Sequence, residues 1–234
     1  ISYIQLILIS EKDQCERKGL KNCIGLYMLD KIEISQIKRF LYLALPSLSL
    51  CFAICKRYDY DDNIKKRKDY VFNMINKLHL AMIELYKGDA KRIQHFCKVH
   101  SYAKLIAESE HVDERTLFII EASTLTHDIG IHICEEKYGD CSGKLQEKEG
   151  PALAKKLLKE LGFDQDVSKR VQYLIAHHHT YDHVDGIDYQ ILIEADFLVN
   201  IMEDHLSKEA AKKAYETIFK TECGKTICRE MFGI

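Results

Sequence analysis

The segment LTHDIG, residues 125–130, decides how the rest of the chain is interpreted. It follows apolar residues at helical spacing from Leu117 onward, which places His127 on the inward stripe of a predicted helix. Adjacent residues of a helix point about 100° apart, so His127 and Asp128 can reach one partner only beside a helix end. Gly130 marks such an end. The segment therefore predicts two ionisable side chains that share a partner at the end of a buried helix.

Apolar residues at helical spacing also occur upstream and downstream of this segment. Four polar residues are suited to begin further helices: Asp89, Asp113, Asp164 and Ser207. Pro151 suits the first turn of another helix, and the last helix is predicted to end near Thr221. Residues 135–143, rich in Gly, Asp and Lys, are typical of a loop. With no alternating β-branched run bounded by turn signals, the sequence predicts an all-α fold.

Four of the predicted helices place ionisable side chains on or beside inward faces: His95, His127 with Asp128, His178, and Asp196. Burying such groups without partners is costly. One divalent cation would remove that cost, because imidazoles and carboxylates are usual metal ligands. The alternative interpretation is that each histidine is a hydrogen-bonded core residue.

Four segments carry a resemblance to a known family. Their order and approximate spacing resemble the HD-domain superfamily of metal-dependent phosphohydrolases, over residues 68–234: RIQHFCKV (92–99), LTHDIG (125–130), LIAHHHTYD (174–182) and EADFLVN (194–200). The resemblance implies an HD-domain helical bundle of six to seven helices with a central metal site. It also implies four metal ligands, namely His95, His127, Asp128 and Asp196.

The resemblance includes one segment that helps to hold a second metal in some members, and the chain departs from the family pattern at two positions. Some members hold a second ion through further histidines, and His178, with its neighbours His177 and His179, matches the segment that supplies them. Two-metal members carry a histidine where this chain offers Glu149, and many carry a lysine where it has Ile131. We expect one bound ion, and His178 is the candidate ligand for a second ion.

The expected reaction is hydrolysis of a phosphomonoester or phosphodiester, since a divalent ion activates water and offsets charge on a phosphoryl oxygen. A nucleotide or related small molecule is the expected substrate, and Fe, Mn, Co, Ni, Zn or Mg the expected metal. The predicted catalytic residues are Asp128, His178 and Glu149. The predicted substrate-binding residues are Lys98, Lys144 and His177.

Two other functions are compatible with the same residues. The first is a metal-binding but catalytically weak nucleotide sensor, which the departures at Glu149 and Ile131 favour. The second is a purely structural role, in which His127 and Asp128 form a hydrogen-bonded pair at a helix end. Bound metal without turnover would indicate the first, and absence of metal the second.

The composition restricts the partners and the location. The 34 lysines and arginines nearly balance the 36 aspartates and glutamates, so neither nucleic acid nor an anionic membrane is a favoured partner. The apolar run 40–55 is short for a membrane span of about 20 residues. Nine cysteines without a CxxC pair indicate free thiols, and hence a cytoplasmic location.

The chain changes character near residue 68. Residues 1–67 lack clear helical periodicity and end in the charged stretch KRYDYDDNIKKRK (56–68). We therefore predict an N-terminal extension of unclear role, poorly ordered in one interpretation, over residues 1–67. The HD phosphohydrolase domain is predicted over 68–234.

Overall fold

The computed structural model describes the backbone of residues 48–234 and the side chains of residues 65–234. This part of the chain contains nine helices and no strand: α1 (Leu48–Leu85), α2 (Ala90–Ser109), α3 (Glu114–Thr126), α4 (Ile131–Tyr138), α5 (Gly143–Leu161), α6 (Gln165–Ile175), α7 (Ile187–Glu203), α8 (Lys208–Thr217) and α9 (Glu222–Phe232). The predicted all-α fold is confirmed. None of the helices in the described part is long and apolar enough to cross a membrane.

The chain divides into two units, Ile1–Asp69 and Tyr70–Ile234. Helix α1 contributes residues to both units. Most of the predicted extension, and most of the short apolar run 40–55, lie outside the described residues. The assignment of residues 1–67 as an extension therefore stays a prediction.

Polar side chains begin several helices at the predicted positions. Asp89 accepts a hydrogen bond from the backbone N–H of Arg92, and Ser207 accepts one from that of Ala210. Asp113 likewise accepts backbone hydrogen bonds in the first turn of α3. Each cap satisfies a donor that the first helical turn leaves free.

The region predicted as a loop over residues 135–143 is mostly helical, which corrects that prediction. Helix α4 continues to Tyr138, and Gly139 ends it in the left-handed conformation at φ 64°. Two apolar side chains explain the helix, because Ile131 and Cys134 are both buried on its inner face. Their burial outweighs the polar composition of the segment.

The sequence prediction also misplaced three other boundaries. Helix α5 begins at Gly143, so Pro151 lies inside it. The buried inner face of α5 compensates for the backbone hydrogen bond that proline cannot donate. Helix α6 ends at Ile175, so His178 lies in the following turn rather than on a helical stripe. The predicted last helix corresponds to α8, which ends at Thr217, and a further helix, α9, follows it; Thr221 caps α9 by accepting from the backbone N–H of Gly224.

The core of the second unit forms between α2, α3, α5, α6, α7 and the C-terminal part of α1. Helix α3 packs between α2 and α6, and α7 packs on both α2 and α3. Side chains that are completely buried include Leu125, Leu174 and Ile191. These contacts hold the end of α3, where the LTHDIG segment lies, in the interior.

A buried glutamate joins α7 to the C-terminal helices. Glu194 is completely buried, and its carboxylate accepts hydrogen bonds from the backbone N–H groups of Lys220 and Thr221 at 2.6 and 2.9 Å. The Thr221 hydroxyl and the Gln190 amide donate to the same carboxylate. Glu194 therefore satisfies the donors at the start of α9.

Replacing Glu194 with alanine should lower the free energy of unfolding by about 3 kcal/mol, because several buried donors lose their acceptor together. Urea unfolding at neutral pH measures this loss. Glu222→Ala is the control, since the side chain of Glu222 is 90% exposed and its loss should change stability by less than about 0.5 kcal/mol. Equal stability of the two variants would contradict the anchoring role of Glu194.

Candidate metal centre

Three helices bring two histidines and two aspartates to one point in the core. His95 comes from α2, Asp196 from α7, and the pair His127 and Asp128 directly follows α3. The two Nε2 atoms of the histidines lie 3.2 Å apart. Asp196 Oδ1 lies 3.2 Å from His95 Nε2 and 3.5 Å from His127 Nε2. Asp128 Oδ2 lies 3.5 and 3.4 Å from the same two atoms.

Local hydrogen bonds fix the orientation of the side chains around this point. His127 Nδ1 donates to the carbonyl of Thr124 at 2.8 Å, which turns Nε2 toward the cluster. The Tyr86 hydroxyl donates to the Asp128 carbonyl at 2.6 Å and holds the turn after α3. The second ring nitrogen of His95, Nδ1, lies 3.0 Å from a carboxylate oxygen of Glu203.

The turn after Asp128 lies directly against α5. A Cβ atom at Gly130 would lie 3.0 Å from the backbone nitrogen of Gly150, and one at Gly143 would lie 2.6 Å from the ring of His179. A side chain at either position would force α5 away from its neighbour. Gly130 therefore allows α5 to approach the turn backbone to backbone, and Gly143 leaves room for the His179 ring.

Four hydrogen-bond acceptors converge in this cluster. Because Nδ1 of each ring faces an acceptor, a neutral His95 or His127 has a lone pair and no proton at Nε2. Two such lone pairs and the oxygens of Asp128 and Asp196 then point at one another, and Asp196 Oδ1 has no hydrogen-bond partner. A cation at this point would satisfy all four groups, so the donor set fits a divalent metal.

The ionisation of the four groups follows from the same arrangement. Burial acts to lower the pKa of His127, but Asp128 and Asp196 outweigh it and raise the pKa to about 9. Burial also acts to lower the pKa of His95, but Asp196 and Asp128 outweigh it and raise that pKa. The two carboxyl groups keep a pKa below the usual aspartate value despite burial, because both histidines face them. Without metal, protons therefore compete for the cluster up to alkaline pH.

A second group of possible ligands adjoins the first and shares Asp128 with it. Ligand atoms of Asp128, His178 and His179 lie within 4.8 Å of one another, as do those of His95, His127 and Asp128. His178 Nδ1 donates to the Ile175 carbonyl at 2.7 Å, so its Nε2, which is buried without a hydrogen-bond partner, faces Asp128 Oδ1 at 3.6 Å. The Nε2 atom of His179 is also unpartnered.

His179 is held in its neutral form. Burial and the neighbouring His178 lower its pKa to about 4, so its ring keeps a lone pair at neutral pH. The sequence pointed to His178 as the ligand of a second ion and treated His179 only as its neighbour. In the structure the two rings are tilted by 42° with centroids 4.0 Å apart, and both residues belong to the same group.

The other predicted site residues lie around or away from these groups. Lys98 forms an ion pair with Glu203 at 2.7 Å, and Lys144 binds Glu147 at the same distance. The His177 ring contacts that of Tyr173 at a tilt of 32°, with ring centroids 4.3 Å apart. Glu149 accepts hydrogen bonds from Lys137 and Tyr138 and belongs to neither ligand group. The roles of these four residues in catalysis or substrate binding stay predictions.

Three polar residues near the site were not identified from the sequence. Glu203 contacts His95, and buried Glu147 accepts hydrogen bonds from the His179 N–H and the Thr180 hydroxyl. Gln146 is buried one position before Glu147, and its amide oxygen has no partner. A sequence signal existed for Glu203, which follows Asp196 by seven residues and therefore lies two helical turns away on the same face.

A comparison with solved structures agrees with this fold. No family model matches the chain, and no curated protein matches it. Among solved structures, it is similar to the crystal structure of a predicted HD superfamily hydrolase from an uncultured Thermotogales bacterium. The two chains are 24% identical with a TM-score of 0.50, and the match covers 68% of this chain and 84% of the other. The chain shares the fold of that structure, which agrees with the helical bundle that the four sequence segments predicted.

Adding Mn²⁺ should stabilise the metal-free protein, and more strongly at high pH than at low pH. The histidines must lose their protons to bind metal, and their raised pKa values keep protons bound near neutral pH. The rise in melting temperature with Mn²⁺ should therefore increase between about pH 6 and pH 9. Thermal unfolding measured by circular dichroism at fixed free Mn²⁺ tests this expectation.

The control for this measurement is His183→Ala, because the side chain of His183 is 87% exposed and belongs to neither ligand group. This variant should show the same pH-dependent rise as the unchanged protein. A Mn²⁺ effect that is absent, or equal at both pH values, would contradict the assignment of these histidines as ligands.

Proposed function

We propose that this chain is a metal-dependent phosphohydrolase that cleaves a phosphomonoester or phosphodiester of a small molecule. The observation that carries the proposal is the convergence of acceptors from buried His95, His127 and Asp196 and partly buried Asp128, which a divalent cation would satisfy. The fold supports it further, since the solved structure that shares this fold is named a predicted hydrolase. Nucleotides are the first substrate class to test.

In this proposal the four cluster residues hold the metal. A bound divalent cation supplies a Lewis acid that activates water and offsets charge developing on a phosphoryl oxygen. Asp128 lies in both ligand groups, so its carboxylate would hold a cation and orient the attacking water. His178 carries an unpartnered Nε2 beside Asp128, which suits it to accept a proton or to hold a second ion.

Two lysines are the proposed contacts for the substrate phosphate. Lys98 and Lys144 each pair with a glutamate that directly supports one ligand group: Glu203 contacts His95, and Glu147 contacts the His179 backbone. An ammonium group has three donors, so either lysine can keep its glutamate and still donate to a phosphate oxygen. This arrangement places positive charge beside each ligand group.

A cytoplasmic location is part of the same proposal. All five cysteines among the described side chains are free thiols: Cys97, Cys134, Cys141, Cys223 and Cys228. Free thiols persist in a reducing compartment. Small phosphate esters, including nucleotides, are also available there as substrates.

Asp128→Ala should lose both bound metal and turnover, because this carboxylate belongs to both ligand groups. Hydrolysis of bis(p-nitrophenyl) phosphate, p-nitrophenyl phosphate and a nucleotide panel in the presence of Mn²⁺ should fall to the uncatalysed rate. Asp182→Ala is the matched control, since the side chain of Asp182 is 75% exposed, and it should retain full activity.

The outcomes of this assay separate the alternatives. Turnover that survives Asp128→Ala would contradict the proposed function. Metal binding and tight nucleotide binding without turnover by the unchanged protein would favour the alternative of a metal-binding nucleotide sensor. An unchanged protein that binds no metal would favour a structural role for the cluster.

A further inference from the structure

Glu203, the last residue of α7, connects His95 to a lysine. Its Oε2 lies 3.0 Å from His95 Nδ1, and its Oε1 accepts a hydrogen bond from Lys98 Nζ at 2.7 Å. The Glu203 side chain is only 13% exposed. A carboxylate oxygen accepts hydrogen bonds, so the Nδ1–H of His95 donates to Glu203.

Helix α7 contacts both nitrogens of the His95 ring. Asp196 faces Nε2 at 3.2 Å, and Glu203, two turns further along the same helix, faces Nδ1 at 3.0 Å. The ring thus lies between two carboxylates of one rigid element. The rings of His127 and His178 are held differently, since their Nδ1 atoms donate to backbone carbonyl groups.

We propose that Glu203 is a positioning residue that fixes the ring orientation and tautomer of His95, with Lys98 holding the Glu203 carboxylate in place. This inference rests on the proposed function, because it assigns His95 Nε2 to the metal. A carboxylate that accepts the second N–H of a metal-binding histidine fixes its tautomer and raises the basicity of the ligand. Glu203 thereby increases the cation affinity of the cluster without contacting the cation.

The chain contains a matched control for this arrangement. Glu121 is also buried, and it accepts from His100 Nε2 at 3.1 Å and from Lys104 Nζ at 2.9 Å. It therefore repeats the set of one glutamate, one histidine and one lysine. Neither Glu121 nor His100 belongs to a ligand group. Substitutions at Glu121 report what losing such a contact does to the fold alone.

The test compares Glu203→Ala, Glu203→Gln and Glu121→Ala with the unchanged full chain. Competition with a chelator gives the dissociation constant for Mn²⁺, and thermal unfolding of the metal-free protein gives the stability of each variant. Glu203→Ala should weaken Mn²⁺ binding about 10- to 100-fold. Glu203→Gln should recover most of the affinity, because its amide oxygen can still accept the Nδ1 proton. Glu121→Ala should bind Mn²⁺ like the unchanged protein.

Three results would overturn the inference: unchanged Mn²⁺ affinity in Glu203→Ala, equal losses in Glu203→Ala and Glu203→Gln, or an equal loss in Glu121→Ala. Equal losses in the two Glu203 variants would mean that the negative charge of Glu203, rather than its orienting contact, sets the Mn²⁺ affinity. An equal loss in Glu121→Ala would mean that the loss of affinity reflects a change in the fold. Failure of the metal assignment is distinguishable, because the unchanged protein would then bind no Mn²⁺ at all. Absence of turnover alone would contradict the proposed function and leave the Mn²⁺ affinities of these variants as expected.

Discussion

The structure depends on one electrostatic constraint: two imidazole nitrogens and two carboxylates face a single point in the core. The Nε2 atoms of His95 and His127 lie 3.2 Å apart, both with lone pairs when the rings are neutral, and the oxygens of Asp128 and Asp196 face the same point. Such an arrangement is stable only with positive charge among the acceptors, either as protons on the rings or as a metal ion. Protons and metal therefore compete for one position.

The fold provides the rigidity that this constraint requires. Helix α3 ends in the interior, so the pair His127 and Asp128 can point at one partner although adjacent helical residues diverge. Close backbone contact between Gly130 and Gly150 keeps α5 against that turn. Because each ligand comes from a packed helix or a turn fixed by hydrogen bonds, the acceptors cannot move apart to relieve their repulsion.

The residues that face the core were predictable from the sequence, whereas the side chains that contact them and fix their orientation were not. Helical spacing placed His95, His127 and Asp196 on inward faces, and the cost of burying them pointed to a common partner. The spacing of Glu203 from Asp196 places both on one face of α7, but the contact with His95 follows only from the packing of α7 on α2. The misplaced start of α5 has a similar origin, because burial outweighed the local preference of Pro151 for a first turn.

Metal content is the most direct test of this account. Elemental analysis of protein purified without chelator should find about one or two ions per chain, as the two ligand groups allow. His127→Ala and Asp196→Ala should lose this metal while keeping their helical circular dichroism spectra. An unchanged protein that contains no metal, and whose thermal stability is the same with and without added divalent ions, would contradict the central claim.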